Sequence, residues 1–276
     1  ITRDEVSLAG LFGFVYFKAA IRNVAVLNCQ IRTAIRKGFI GHAAPICAYG
    51  FGDILNCCTS GSVELVCGGK MAAAGGLAGG SLICNCYAAC QVQVSGSRYV
   101  FAGGIAGQFT EIISCYSSGK VQAVSFLSSG LAFAGGIGAN INNTGIMHCL
   151  ALNKEGITVA GEKKAEIGRI FGTVSRQIWV TYEKNYASRA ITLRRETGGT
   201  VSYKKTVDEA GWVDGEAWDG ENYNWSDAFD AAADPLHLPL LLTTDRKAYV
   251  GGISFQPAAA MLKADYLPGE GETEGN

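Results

Sequence analysis

The residues best equipped for chemistry in this chain are its cysteines, ten in 276 residues, beside only three histidines. Four of them end related phrases: Ile54-Leu55-Asn56-Cys57, Ile83-Cys84-Asn85-Cys86, Ile112-Ile113-Ser114-Cys115 and Ile146-Met147-His148-Cys149. The steps between these cysteines are 29, 29 and 34 residues. Zinc ligands come in pairs with a gap of two or more residues. Cys84-Asn85-Cys86 is too tight for that and has no companion, so no metal site is expected. His42, His148 and His237 are scattered, and no His-Glu-x-x-His occurs. Cys149 and His148 are no nucleophile and base, because neighbours on a strand point to opposite faces. A Ser elbow of the Gly-x-Ser-x-Gly type is missing.

Carboxylates are equally sparse where the repeat lies. Residues 41–153 carry only Asp53, Glu64, Lys70, Arg98, Glu111 and Lys120 as charged groups. Polysaccharide lyases and hydrolases group carboxylates on one face, as an acid and a base or around calcium. Asp53 and Glu111 are read as lying at different coil positions two coils apart, so no convergent pair is expected and no catalytic residue is assigned. The acidic stretch Asp214, Glu216, Asp219, Glu221, Asp227, Asp230 and Asp234 lacks calcium-loop spacing and reads as a solvated loop. No cofactor is expected.

The elements that carry these residues follow from the period. Glycine phrases recur in step with the cysteines: Ala74-Gly75-Gly76-Leu77-Ala78-Gly79, Ala102-Gly103-Gly104-Ile105-Ala106-Gly107 and Ala134-Gly135-Gly136-Ile137-Gly138. A fixed period of this size means one supersecondary unit stacked on copies of itself. Apolar runs of two to five residues between Gly, Ser and Asn read as strand and turn, and no glycine-free helical periodicity spans 47–152. The expected fold is all-β: a right-handed, single-stranded parallel β-helix with about 29–34 residues per coil and a C-terminal capping region. Equivalent side chains then stack about 4.8 Å apart. Cys57, Cys86, Cys115 and Cys149 form one interior column, Leu77, Ile105 and Ile137 another, and Val63, Val92 and Val121 a third. The glycine pairs mark a corner that needs positive φ or close backbone approach. Stacked cysteines point the same way and bridge poorly, so the column reads as reduced, buried small hydrophobes. The state of Cys29, Cys47, Cys58, Cys67, Cys84 and Cys90 stays open.

These phrases carry a resemblance. Gly76-Leu77-Ala78-Gly79 with Asn85-Cys86-Tyr87-Ala88, and Gly104-Ile105-Ala106-Gly107 with Ser114-Cys115-Tyr116-Ser117, resemble the GLUG motif of bacterial surface proteins. Gly10-Leu11-Phe12-Gly13 with Ile21-Arg22-Asn23-Val24 is similar to a first coil, and Gly168-Arg169-Ile170-Phe171-Gly172 with Asn185-Tyr186-Ala187 to a last one. The resemblance covers roughly residues 9–190. It implies a pectate-lyase-like β-helix in a secreted or surface-anchored protein of the kind common in gut Bacteroidetes, used in cell adhesion and found beside immunoglobulin A peptidases. It implies no catalytic residues.

Two aligned aromatic pairs are candidate ligand contacts: Tyr87 with Tyr116, on the side opposite Cys86 and Cys115, and Phe101 with Phe133. Stacked exposed rings suit sugar faces, while a structural aromatic ladder is the commoner use.

The net charge of −1 hides a split. Residues 1–195 carry 18 Lys and Arg against 9 Asp and Glu, and residues 196–276 carry 5 against 15. The bases are not clustered and the repeat is nearly neutral, which argues against nucleic acid. No apolar run of 18 residues occurs, so no transmembrane segment is expected. From Glu196 the repeat stops. Trp212, Trp218, Trp225 and the run Leu236-His237-Leu238-Pro239-Leu240-Leu241-Leu242 suit a lid over the last coil, and Gly269–Asn276 a tail or linker. The division is therefore 1–195, repeat β-helix, and 196–276, a Trp- and Leu-rich cap with an acidic tail. Beginning at Ile1 with a coil following at once, the chain reads as a piece of a longer surface protein, or else as a monomer. The function expected is a non-catalytic extracellular or cell-surface adhesin or recognition scaffold, with glycans or host surface proteins as partners. The alternatives are a β-helix carbohydrate-active enzyme and a stalk that spaces other domains.

Overall fold

The computed structural model describes residues 2–4, 7–35, 39–153, 155–174, 181–183, 185–188, 191–196 and 216–218. Every strand pairing among them is parallel, and no helix is present. The expected parallel β-solenoid is the fold.

Three long sheets form its walls. The first runs through Ala25–Ile35, Cys58–Cys67 and Tyr87–Gly96, then splits into a row through Tyr116–Ser117, Leu150–Ala151 and Tyr186–Ser188 and a row through Val121–Ser125, Ile157–Ala160 and Leu193–Glu196. The second stacks six short strands, Leu8–Ala9, Ile40–Ala43, Met71–Gly75, Tyr99–Gly103, Leu131–Gly135 and Lys164–Gly168, one per coil. The third stacks Ala20–Arg22, Asp53–Leu55, Gly80–Cys84, Ala106–Ile113 and Gly138–Met147, then Phe171–Val174 and Thr181–Glu183. A two-strand sheet, Phe12–Val15 with Cys47–Gly50, sits at the corner between the second and third walls of the first two coils.

The register keeps like residues above like. Val63, Val92 and Val121 pair in sequence. Ile21, Ile54, Ile83, Ile112 and Ile146 form one line, with coil steps of 33, 29, 29 and 34 residues by subtraction. Leu77 donates its N–H to the Ile105 carbonyl, and Ile105 its own to Ile137. Alternation on strands such as Tyr87–Gly96 sends Val92 and Val94 inward and leaves Gln91 and Gln93 exposed. Each fully buried Ile or Val is worth about 1.5–3 kcal/mol in transfer terms, repeated in every layer.

At the corners, one of the two uses expected of the glycine pairs holds. Gly75, Gly76, Gly103, Gly104, Gly135 and Gly136 are not among the positive-φ residues. They serve close approach instead: a Cβ on Gly76 would strike the Gly104 carbonyl oxygen, and one on Gly104 that of Gly136. Left-handed backbone falls on the residue before each column cysteine and its counterpart in the first coil: Asn23 (φ 57°), Asn56 (53°), Asn85 (52°), Ser114 (51°) and His148 (53°). Asn tolerates this region better than most residues, and Asn85 Nδ2 donates to Asn56 Oδ1 at 2.6 Å along the ladder.

Within residues 197–276 only the strand Glu216–Trp218 is described, and it extends the first sheet by pairing with Tyr186–Ser188. Trp212, Trp225, the Leu236–Leu242 run, the acidic stretch apart from Glu216, and the tail lie outside the described residues. No helix among the described residues is long and apolar enough to cross a membrane.

Candidate functional site

The cysteine column is a sealed interior. Cys57, Cys86, Cys115 and Cys149 are buried free thiols. Each Sγ donates to the carbonyl two residues back, Cys57 to Leu55 at 3.1 Å and Cys115 to Ile113 at 3.2 Å, for example. The Cys57 and Cys86 N–H groups donate to the sulfur of the next coil at 3.4 Å. One coil further on, Asn185 takes the column position and its Oδ1 accepts the Cys149 N–H at 3.0 Å. Burial pushes the Cys115 and Cys149 thiols up to about 11 and about 12. Thiols held this way are poor nucleophiles and poor metal ligands. No group of three or more His, Cys, Asp or Glu among the described residues could hold a metal ion.

The two aromatic pairs stack, but not at the surface. Tyr87 and Tyr116 lie 4.2 Å apart between centroids and are 2% and 1% exposed. The left-handed residue before each cysteine turns the chain, so strand alternation fails there. Cys86, Tyr87 and Ala88 are enclosed in succession. Phe101 and Phe133, 5.1 Å apart, are buried in a small separate cluster with Ala73 and Ala139. As exposed ligand contacts these four residues are therefore corrected: they are ladders inside the fold.

The carboxylates need a second correction. Ile54, Ile83 and Ile112 share one line, so the residues before them, Asp53, Leu82 and Glu111, share the next. Asp53 and Glu111 thus occupy the same coil position, two coil spacings or about 9.6 Å apart along the stack, with Leu82 between. Desolvation raises the Glu111 carboxyl above its ordinary value. Glu64 is instead tied to Arg32, Nε to Oε2 at 3.1 Å.

The exposed side chains that do converge are aromatics absent from the sequence-based candidates. Val15 points inward, so Phe12, Phe14 and Tyr16 point out from the corner strand and its end. Cross-strand pairing sets Phe14 opposite Tyr49, with ring centroids 5.9 Å apart. From Cys47 to Ile54 the second coil takes seven steps, against five from Ala78 to Ile83 in the third. The two extra residues form a bulging corner that ends in Phe51-Gly52.

Glycine lets the first coil lie on this corner. A Cβ on Gly52 would come within 2.6 Å of the Ala19 carbonyl oxygen and 2.9 Å of that of Tyr16. A turn closed by Ala19 N–H to the Tyr16 carbonyl (3.1 Å), with Lys18 left-handed at φ 65°, then sets Phe17 flat on Phe51 at 4.6 Å and 5°. Phe14 meets Phe51 edge-on at 5.9 Å, and Tyr16 meets Phe17 edge-on at 5.8 Å. Beneath the patch His42 stacks on Tyr49 at 4.5 Å, and burial lowers its imidazole to about 4, so it is neutral at pH 7. Tyr16 is 69% exposed, Phe17 60% and Leu11 58%. A contiguous apolar surface of this kind marks an interaction site more often than scattered exposed residues do. The signal was present in the sequence as the period-two aromatics Phe12, Phe14, Tyr16 and Tyr49, Phe51.

No family model matches this chain, and no curated protein matches it. Among solved structures it is similar to a protein from Bacteroides ovatus described as a "putative immunoglobulin A1 protease", at 22% identity and TM-score 0.45, covering 79% of this chain and 71% of that one. A likeness that loose carries no argument about what this chain does.

Proposed function

We propose that this chain is a non-catalytic recognition scaffold that binds glycans at the aromatic corner, outside or on the surface of a bacterial cell. One observation carries the reading: Phe12, Phe14, Tyr16, Phe17, Tyr49 and Phe51 gather on one corner, most of them well exposed. Ring faces of this kind pack against the C–H faces of sugars, and Tyr16 adds a hydroxyl for a sugar oxygen. The nearly neutral coil surface suits an uncharged ligand better than nucleic acid. The resemblance of the repeat to GLUG-motif surface proteins supports the extracellular setting. A glycan array followed by calorimetry on the hits tests it. Replacing Tyr16 and Phe17 together by Ala should weaken binding at least about tenfold and leave the melting temperature nearly unchanged, since both rings are mostly in solvent. No glycan bound, or binding untouched by the double change, would refute the reading.

A second reading rests on the Asp53–Leu82–Glu111 line. Inverting glycosidases set their two carboxyls about 6.5–9.5 Å apart, one of them with a raised pKa. Two coil spacings approach that separation, and Glu111 is the raised carboxyl. Here Glu111 would be the acid and Asp53 the base. Reducing-sugar release from a bound glycan, abolished by either Asp53→Asn or Glu111→Gln, would favour this reading. Binding without turnover favours the first.

A further inference from the structure

Cys29, Gly61 and Cys90 stand in one line of the first sheet, Cys29 paired with Gly61 and Gly61 with Cys90. Residues two coils apart are ordinarily about 9.6 Å from each other, with a side chain between them. Here the residue between is glycine, and the Cys29 strand is bulged over it. From Val26 to Cys29 the first coil takes three steps where its partner takes two, from Thr59 to Gly61. The bulge turns at Asn28 (φ 54°), whose N–H donates to Ser60 Oγ at 2.9 Å. It carries the Cys29 backbone into the space a Gly61 side chain would fill, since a Cβ there would strike the Cys29 carbonyl oxygen. Across this line the two thiols sit close enough for each to act on the ionisation of the other.

The two thiols are unlike. Cys90 is 1% exposed and lies in the core, within hydrogen-bonding reach of the Thr59 side chain. Cys29 is only partly buried, at the edge of the same core. The neighbouring Cys90 thiol pulls the Cys29 thiol down to about 7, while Cys29 and then burial push Cys90 up. An accessible thiol that ionises near neutrality beside a buried one that does not matches the division between an attacking and a resolving cysteine.

We propose that Cys29 and Cys90 form a two-thiol redox site, which a small-molecule disulfide closes into a bridge between the first and third coils. The Cys29 thiolate attacks one sulfur of the small disulfide. The other sulfur leaves as a thiolate and takes up the proton that Cys29 gave up. Cys90 then loses its proton and attacks Sγ of Cys29 in the mixed disulfide, and the second small thiol leaves with that proton. Two protein thiols are oxidised and one disulfide is reduced to two thiols. Final closure to a bond of about 2.05 Å draws the bulge toward Cys90, which the glycine between them permits. The bridge would clip the coil that carries Phe12, Phe14, Tyr16 and Phe17 to the interior of the stack.

The test uses the whole chain and oxidised glutathione, with N-ethylmaleimide trapping and peptide mapping. The expected result is a linked Cys29–Cys90 peptide with the other eight cysteines trapped as thiols, and a higher melting temperature for the bridged chain. Cys90→Ser should stop the reaction at glutathione attached to Cys29, and Cys29→Ser should prevent it. Mapping the wild-type chain decides between the outcomes even if a variant fails to fold. Glutathione that stays on Cys29 in the wild type, a bridge between other cysteines, or ten unreacted thiols would each overturn the proposal.

Discussion

At the scale of single residues the solenoid places polar groups where geometry demands them, and His42 shows the consequence most plainly. It is 6% exposed, and burial lowers its imidazole from 6.5 to about 4. The unfolded chain therefore binds a proton between those values that the folded chain does not. Stability is fully present above about pH 6.5, falls as the pH drops through the window, and levels off below about 4. The loss should reach about 3 kcal/mol, read as the denaturant midpoint at pH 7.5 and pH 4. His42→Phe, which keeps a ring under Tyr49, should flatten that part of the dependence. An unchanged slope would mean that His42 is not the group that titrates. The left-handed ladder is legible only in part: the recurring Asn, Ser or His before each Cys is visible, but the glycine pairs offer positive φ and close approach equally. Side-chain identity alone does not separate a glycine kept for φ from one kept for space.

At the scale of elements, two kinds of glycine make opposite predictions. A Cβ at Gly104 would press on the Gly136 carbonyl oxygen and on Ser117 Cβ, 2.8 Å away, in the tightly stacked corner. Gly104→Ala should destabilise the chain by about 1–3 kcal/mol through overpacking. At Gly13 the nearest atom to a new Cβ is Leu8 Cβ at 3.7 Å, so Gly13→Ala should change stability by less than about 0.5 kcal/mol. Equal effects in thermal unfolding would mean that the corners are not held by close approach. The walls are the legible part of the fold, because Val63, Val92 and Val121 or the four column cysteines repeat one demand in every coil. The aromatic corner is not legible by the same logic. Tyr49 and Phe51 answer a demand made in only two coils, and the two residues inserted between Cys47 and Ile54 break the alignment that reveals everything else. The Asp53–Glu111 alignment, by contrast, is legible in the sequence: each stands four residues before a column cysteine, two 29-residue steps apart, so the cysteine register alone already sets them on one line.

For the molecule as a whole, a solenoid has no contacts that span it, so each coil is as stable as its own packing and its neighbours make it. The coils are not alike. In the strand Ala25–Ile35 only Ile31, Thr33 and Ile35 are buried, and Leu27 is 41% exposed. In the coil of Tyr99–Gly103 and Ala106–Ile113, Val100, Ala102, Ile105, Ala106 and Ile112 are all at 0%. Local opening should therefore cost least in the coil that carries Phe12, Phe14, Tyr16 and Phe17. Hydrogen exchange on the whole chain should show amides of Val26–Gln30 exchanging at least about a hundredfold faster than those of Val100 and Ile112, a gap of about 2.7 kcal/mol in opening free energy. Uniform protection along the stack would show instead that the chain opens only as one unit, leaving the exposed first coil as strongly held as the core. A gradient would tie recognition to stability, because a ligand gripping Phe17 on the first coil and Phe51 on the second can bind only while those coils are docked. Saturating such a ligand should then slow exchange at Val26–Gln30 and leave Ile112 unchanged, since stabilisation by binding is confined to the openings that destroy the site.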